Sequence, residues 1–236
     1  MVDIAHRLAA WDWGRIIQSL DAGGYAVVDS VLSPQECGSL AASYGHDQMF
    51  RSRVVMARHG FGSGEYKYFA HPLPAAVAAL RTSLYPRLVG VANRWHEVLG
   101  NEVRYPDDHT AFLERCRRDG QTKPTPLLLR YAEGDYNCLH QDLYGKHVFP
   151  LQATFLLSVP ERDFRGGHFV LTEQRPRMQS RAEVVPLGQG DAVIFAVHHR
   201  PVRGRRGFYR VNLRHGVSQV RSGHRTALGI IFHDAQ

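Results

Sequence analysis

From Pro126 to the C-terminus, short apolar segments succeed one another with turn residues between them and no helical stretch among them. That succession limits the fold more than any other feature of the chain. Read as strands, the segments are residues 127–132, 136–142, 148–158, 168–173, 182–187, 191–197, 208–220 and 225–233. Eight short strands at this spacing, without intervening helices, predict a double-sheet β-sandwich or jelly roll.

The first half has a different pattern. Residues 3–21 carry apolar positions at helical spacing until Gly23-Gly24 stops them, and a short strand, 25–28, follows. Ser33-Pro34-Gln35-Glu36 supplies an N-cap, a first-turn proline and early acidity for a helix to about Tyr44. Residues 74–99 and 107–119 also predict helices, with a kink or break at Pro86. Residues 46–71 are polar, Gly-rich and aromatic, a loop region with short strands. The fold class is thus α+β. A single domain, 1–236, is expected, with 1–125 as mainly helical support and substrate-loop region and 126–236 as jelly-roll core with the metal site. At 236 residues the chain suits one well-buried domain better than two.

Three cysteines, Cys37, Cys116 and Cys138, show no CxxC spacing, so neither a disulfide framework nor a zinc ribbon is indicated. Charges in Met1-Val2-Asp3-Ile4-Ala5-His6-Arg7 interrupt the apolar run that a signal peptide needs, and no stretch approaches a membrane span. A cytoplasmic protein with no membrane association is expected, and no protein partner is indicated. The net charge is +7, carried by 29 Lys+Arg against 22 Asp+Glu. It is not spread evenly. Between Asp191 and Asp234 there is no acidic residue but there are eight arginines, at 200, 203, 205, 206, 210, 214, 221 and 225. Such a segment suits a polyanionic partner, and seven of the eight could line the mouth of a site.

The chemistry begins at His140-Gln141-Asp142, at the end of a predicted strand. Side chains two apart on a strand share a face, so one imidazole and one carboxylate can meet one metal ion. They would be two of the three ligands in a 2-His-1-carboxylate set, which leaves positions open on Fe(II). Chance alone supplies roughly 0.8 His-x-Asp triplets in such a chain, so the context matters. Arg130-Tyr131-Ala132-Glu133-Gly134-Asp135 precedes the triplet, and His215-Gly216-Val217, a Ser222-Gly223 turn and Arg225 follow much later.

This arrangement resembles the 2-oxoglutarate- and Fe(II)-dependent oxygenases. Arg130 to Asp142 is similar to the AlkB-type run, and the Tyr-to-His spacing is shared with prolyl-4-hydroxylase-like members. Gly190-Asp191-Ala192-Val193-Ile194-Phe195, then His215, Gly223 and Arg225, resembles the closing half of the same fold, and Gly24 to Asp29 its entry segment. The resemblance implies a double-stranded β-helix (jelly roll) core buttressed by N-terminal helices. It implies a dioxygenase using Fe(II), 2-oxoglutarate and O2, with His140, Asp142 and His215 as iron ligands. It also implies Arg225 as clamp for the distal carboxylate of 2-oxoglutarate and Tyr131 as a second cosubstrate contact. If residues 220 and 225 flank a hairpin turn, Arg225 lies about 16 Å from His215 along paired strands. His198 and His199 compete with His215 for the third position, but neither heads a His-Gly-Val run.

The substrate is read from the loops. Arg51, Arg53, Tyr66, Lys67 and Tyr68 interleave cations with aromatics, as do Arg203, Arg205 and Arg206 with Phe208 and Tyr209. Such runs can bind phosphates and stack a flipped base. The resemblance to a bacterial group acting on alkylated DNA or RNA points the same way, to oxidative dealkylation of damaged bases. One departure is that AlkB-type enzymes carry two arginines on the last strand, whereas 225–231 has one. The alternatives are a hydroxylase of a protein side chain or free amino acid, and a non-catalytic metal-binding jelly roll acting as a sensor.

Overall fold

The computed structural model describes residues 4–236, so the expected helix start at residue 3 lies outside the described residues. In chain order the first half contains α1 (Ile4–Ala9), α2 (Trp13–Gly23), β1 (Tyr25–Val28), α3 (Pro34–Ala42), β2 (Phe50–Val55), β3 (Gly62–Ser63), β4 (Glu65–Phe69), α4 (Ala75–Val98) and α5 (His109–Arg118). The second half contains β5 (Leu127–Tyr131), β6 (Tyr136–His140), β7 (Leu151–Leu156), β8 (Phe164–Gly166), β9 (Phe169–Gln174), β10 (Arg181–Val185) and β11 (Ala192–Ala196). It ends with β12 (His199–Gly204), β13 (Gly207–Val217), β14 (Val220–Gly223) and β15 (Arg225–Ile231).

The helix ends follow local chemistry. Asp12 caps α2 by accepting from the Arg15 amide at 3.0 Å, and Gly24 closes it in the left-handed region. Ser33 and Glu36 form a reciprocal capping box at the start of α3. Pro86 does not break the segment into two helices, because α4 runs on as one element. Leu84, Tyr85, Leu88 and Val89 are buried on both sides of it, and that packing outweighs the roughly 3 kcal/mol that an interior proline costs.

The strands form two large antiparallel sheets and a two-stranded one, β14-β8. The larger runs β1-β11-β7-β15-β5-β4-β2 and the smaller β10-β9-β13-β6-β3, with β12 also on β13. Every residue of β7 and β11 is buried, since the larger sheet is covered by the smaller on one face and by helices on the other. Leu8, Leu20, Leu80, Leu84 and Trp95 from the helices share one apolar cluster with Phe155, Ile194 and Ile230 from the strands. Arg81 of α4 reaches through this core to Asp234 at 2.8 Å and to the Ile231 carbonyl at 2.8 Å. Among the described residues no helix is long and apolar enough to cross a membrane.

Two expectations need correction. Arg203, Arg205 and Arg206, read among the substrate loops, belong to a hairpin of β12 and β13 whose turn holds Arg205 and Arg206. Nor do residues 220 and 225 flank a hairpin. β14 pairs with β8, whereas β15 pairs with β5 and β7 in the larger sheet. Arg225 therefore belongs to the sheet opposite that of His215, and the path along paired strands does not exist. The two meet across the sandwich, where facing sheets lie about 10 Å apart.

The α3 cap is reinforced by Arg7, which donates to both Glu36 carboxylate oxygens at 2.7 and 2.9 Å. The Arg7 hydrogen bonds, with help from Ser33, hold the Glu36 carboxyl down at about 2. A depressed folded-state pKa stabilises above the unfolded value near 4.5 and is lost as pH falls towards 2. Glu36→Gln is expected to cost about 1 kcal/mol at pH 7 after discounting for solvent screening. Denaturant midpoints of the two proteins should converge as pH drops below the carboxylate range.

Candidate metal centre and active site

The site is assembled by strand register. β6 and β13 pair so that His140 stands opposite His215, which brings their rings to 4.2 Å between centroids. Asp142, just beyond β6, inserts its carboxylate between them: Oδ1 is 3.4 Å from His140 Nε2 and Oδ2 3.3 Å from His215 Nε2. The three ligand atoms lie within 4.8 Å of one another. Two neutral donors hold the carboxylate further. Tyr144 Oη donates to Oδ1 at 2.8 Å, and Gln152 Nε2 donates to Oδ2 at 2.9 Å.

The electrostatics follow from burial and pairing. Burial alone would raise the Asp142 carboxyl, but hydrogen bonds from His140 and His215 reverse this and hold it well below its ordinary value. His140 is subject to burial, which lowers it, yet its bond to Asp142 leaves it raised. His215 is lowered by burial and by the neighbouring His140. Burial and the Asp142 charge push the Tyr144 hydroxyl far up, so it remains protonated and donates.

These residues line a cavity of about 310 Å³ that also reaches Tyr66, Tyr131, Asn137 and Arg225. Arg225 stands opposite Tyr131 on the neighbouring strand and is only 2% exposed. Its guanidinium carbon lies 5.6 Å from the Tyr131 ring, its Nε has no hydrogen-bond partner, and no carboxylate among the described residues pairs with it. A buried cation without a counter-charge is costly, so the arrangement suits an anionic ligand. The wall beside it, from Leu127, Leu129, Ala227 and Ile231, is apolar.

The structure separates the sequence-predicted substrate residues. Tyr66 lines the cavity, and Tyr68 is buried beside it, ring centroids 5.3 Å apart. Lys67 alternates to the other face, where its ammonium, 7% exposed as a residue, binds Asp47 at 2.6 Å and the Tyr44 carbonyl at 2.8 Å. These bonds tie its charge to the loop before β2. Arg51 donates to the Pro124 carbonyl at 2.8 Å and stacks over Tyr68, and Arg53 is paired with Glu65.

Nor do the clustered arginines all line the mouth. Arg200 is buried and ion-paired with Glu173. Arg203 borders a separate groove with Asp21 and Arg94, and Arg205 and Arg206 sit at the hairpin turn. His215 lies eight positions along β13 from Gly207, or about 26 Å at 3.3 Å per residue. His198 and His199 face another groove, with His96 and Arg210, away from Asp142. At the cavity rim stand Phe61, 48% exposed and stacked on His59, and Leu139, 45% exposed.

Tyr144, Gln152 and Asn137 were not among the residues expected from sequence. The signal for Gln152 is a polar side chain inside an otherwise apolar run, Leu151–Leu156. Tyr144 had only its place two residues after Asp142.

Residues 64–235 match the model of a family described as an oxygenase catalysing oxidative methylation of damaged DNA. The chain belongs to this family. Two uncharacterised proteins of Mycobacterium tuberculosis, from strains H37Rv and CDC 1551, are each 48% identical to the oxygenase over 167 residues, covering 71% of its chain and 72% of theirs. A Pseudomonas putida prolyl-4-hydroxylase superposes with TM-score 0.57 at 13% identity, over 95% of this chain and 99% of that one. A 2OG-Fe(II) oxygenase-family oxidoreductase of Burkholderia pseudomallei superposes with TM-score 0.54 at 14% identity, over 96% and 94%. The oxygenase thus has the jelly-roll fold of the 2-oxoglutarate- and Fe(II)-dependent superfamily. Its two imidazoles and one carboxylate, with an unpaired guanidinium in the same cavity, fit Fe(II), 2-oxoglutarate and O2.

His215→Ala is expected to weaken Mn(II) binding at least 100-fold in calorimetric titration, and His199→Ala to change it less than twofold. The reverse result would move the third ligand to the other groove.

Proposed function

We propose that this oxygenase removes alkyl groups from damaged DNA or RNA bases by oxidation. The observation that carries the reading is the buried, unpaired Arg225 in one cavity with His140, Asp142 and His215. The three ligands would hold Fe(II), and Arg225 would grip the distal carboxylate of 2-oxoglutarate, with the Tyr131 hydroxyl as a second contact. When bound, such a centre supplies the O2 activation that couples decarboxylation of 2-oxoglutarate to succinate with insertion of one oxygen atom into a C–H bond. The protein's own part is to orient the substrate, and its apolar wall of Leu127, Leu129, Ala227 and Ile231 keeps water away from the reacting groups. On an N-alkyl group the hydroxylated carbon then breaks from nitrogen: the C–N electron pair returns to the base, the hydroxyl proton leaves, and the alkyl departs as an aldehyde.

Three observations support a nucleic-acid substrate. The family description names damaged DNA. Arg203, Arg205, Arg206, Arg210, Arg214 and Arg221 have no ion-pair partner among the described residues, so their charge is free for phosphates. Phe61 and Tyr66, one at the rim and one in the wall, offer aromatic faces to a base. The free state of all three cysteines fits a reducing, cytoplasmic setting.

A hydroxylase of a protein side chain or free amino acid is favoured instead by the last strand, where Ala227, Gly229 and Ile231 line the cavity and Arg225 is the single cation. A metal-binding sensor without turnover is the reading that iron-dependent succinate formation would remove.

Arg225→Gln is expected to raise the 2-oxoglutarate KM at least tenfold while Mn(II) affinity stays within twofold. N-methylated oligonucleotides should release formaldehyde in step with succinate, and a log–log salt slope of binding near −5 is expected if about six phosphates are neutralised. Turnover of 2-oxoglutarate without aldehyde from any methylated oligonucleotide would sink the dealkylation reading and leave amino-acid hydroxylation.

A further inference from the structure

The residues around Asp142 form a layered support that begins far away in the chain. Tyr144 and Gln152 each take one oxygen of the Asp142 carboxylate, at 2.8 and 2.9 Å. Rotation of that carboxylate about its axis would break both bonds, so its plane is set before any ion arrives. Tyr144 is itself held. Gln121, fully buried in the connection between α5 and β5, donates through Nε2 to the carbonyls of Tyr144 at 3.2 Å, His147 at 3.0 Å and Asp234 at 2.5 Å. Its Oε1 accepts from the His147 amide at 2.7 Å. The turn admits this clamp because residue 145 is glycine: with φ +82°, a Cβ there would stand 2.5 Å from Gln121 Cδ. Lys146 and His147 tie the same turn to Asp119.

We propose that Tyr144, fixed by the Gln121 clamp, is a positioning residue that presets the Asp142 carboxylate for the metal ion. The inference rests on the reading of His140, Asp142 and His215 as ligands, but not on any substrate. Partners of metal ligands commonly change metal affinity 10–100-fold when removed. A hydroxyl that only packs would not.

The test uses the full chain and Mn(II) as probe, with affinity from calorimetry and folding from thermal melts. Tyr144→Phe keeps the ring and removes the donor. The comparison is Tyr85→Phe, which also deletes a buried hydroxyl's hydrogen bond, 2.8 Å to the Pro106 carbonyl, in a part of the core that does not touch the site. Tyr144→Phe is expected to weaken Mn(II) binding about tenfold, with Tyr85→Phe within twofold of the parent protein. Gly145→Ala, which displaces Gln121, should shift affinity in the same direction as Tyr144→Phe. Equal affinities for Tyr144→Phe and the parent protein, or an equal loss in Tyr85→Phe, would overturn the assignment. Absence of Mn(II) binding in the parent protein would instead remove the ligand reading beneath it.

Discussion

The pairing of β6 with β13 is the interaction on which the site depends. Its register sets His140 opposite His215 and leaves Asp142, two residues further, to fold back between them. Because strand side chains alternate, a slip of one strand by one residue would turn its imidazole to the other face of the sheet, away from its partner's. The register is specified by what surrounds it. Leu171 and Phe169 of β9 face inward beside β13, and the close approach of Gly216 to the backbone of Asn137 and Cys138 leaves no room for a side chain there.

The sandwich treats its buried charges in two ways. Arg81 with Asp234 and Arg200 with Glu173 are closed pairs that fasten α4 to the C-terminus and β12 to β9. Each has its counter-charge and asks nothing of a ligand. Arg225 is as deeply enclosed and has none, so an anion entering the cavity would relieve a desolvation cost that folding leaves in place. The contrast separates arginines that close a pair within the fold from one left open to the cavity, which burial does not do.

The same contrast changes the meaning of the basic segment. Eight arginines without an intervening acid read in one dimension as a single patch, yet the hairpin of β12 and β13 disperses them. One is locked in the core, one is in the cavity, and those at the turn stand some 26 Å along the strand from His215. A partner touching both ends would have to be extended, as a nucleic-acid strand is.

Short apolar segments between turn residues, helical spacing with cap residues, and a two-residue separation of ligand types made the jelly roll, the helical first half and the His-x-Asp motif legible in the sequence, because each depends on neighbours within a few positions. Strand partners are not local. The assignment of β15 to the larger sheet, the loss of the supposed hairpin at 220–225 and the inward turn of Lys67 onto Asp47 were decided by which faces could be buried. The same holds for Tyr144 and Gln121: no spacing rule links residues 121, 142 and 144, and only packing the α5–β5 connection against the turn after Asp142 brings them together. The sequence by itself determined the ligand types and the architecture able to hold them. The tertiary structure alone decided which charges remain unpaired, since pairing depends on contacts between segments far apart in the chain.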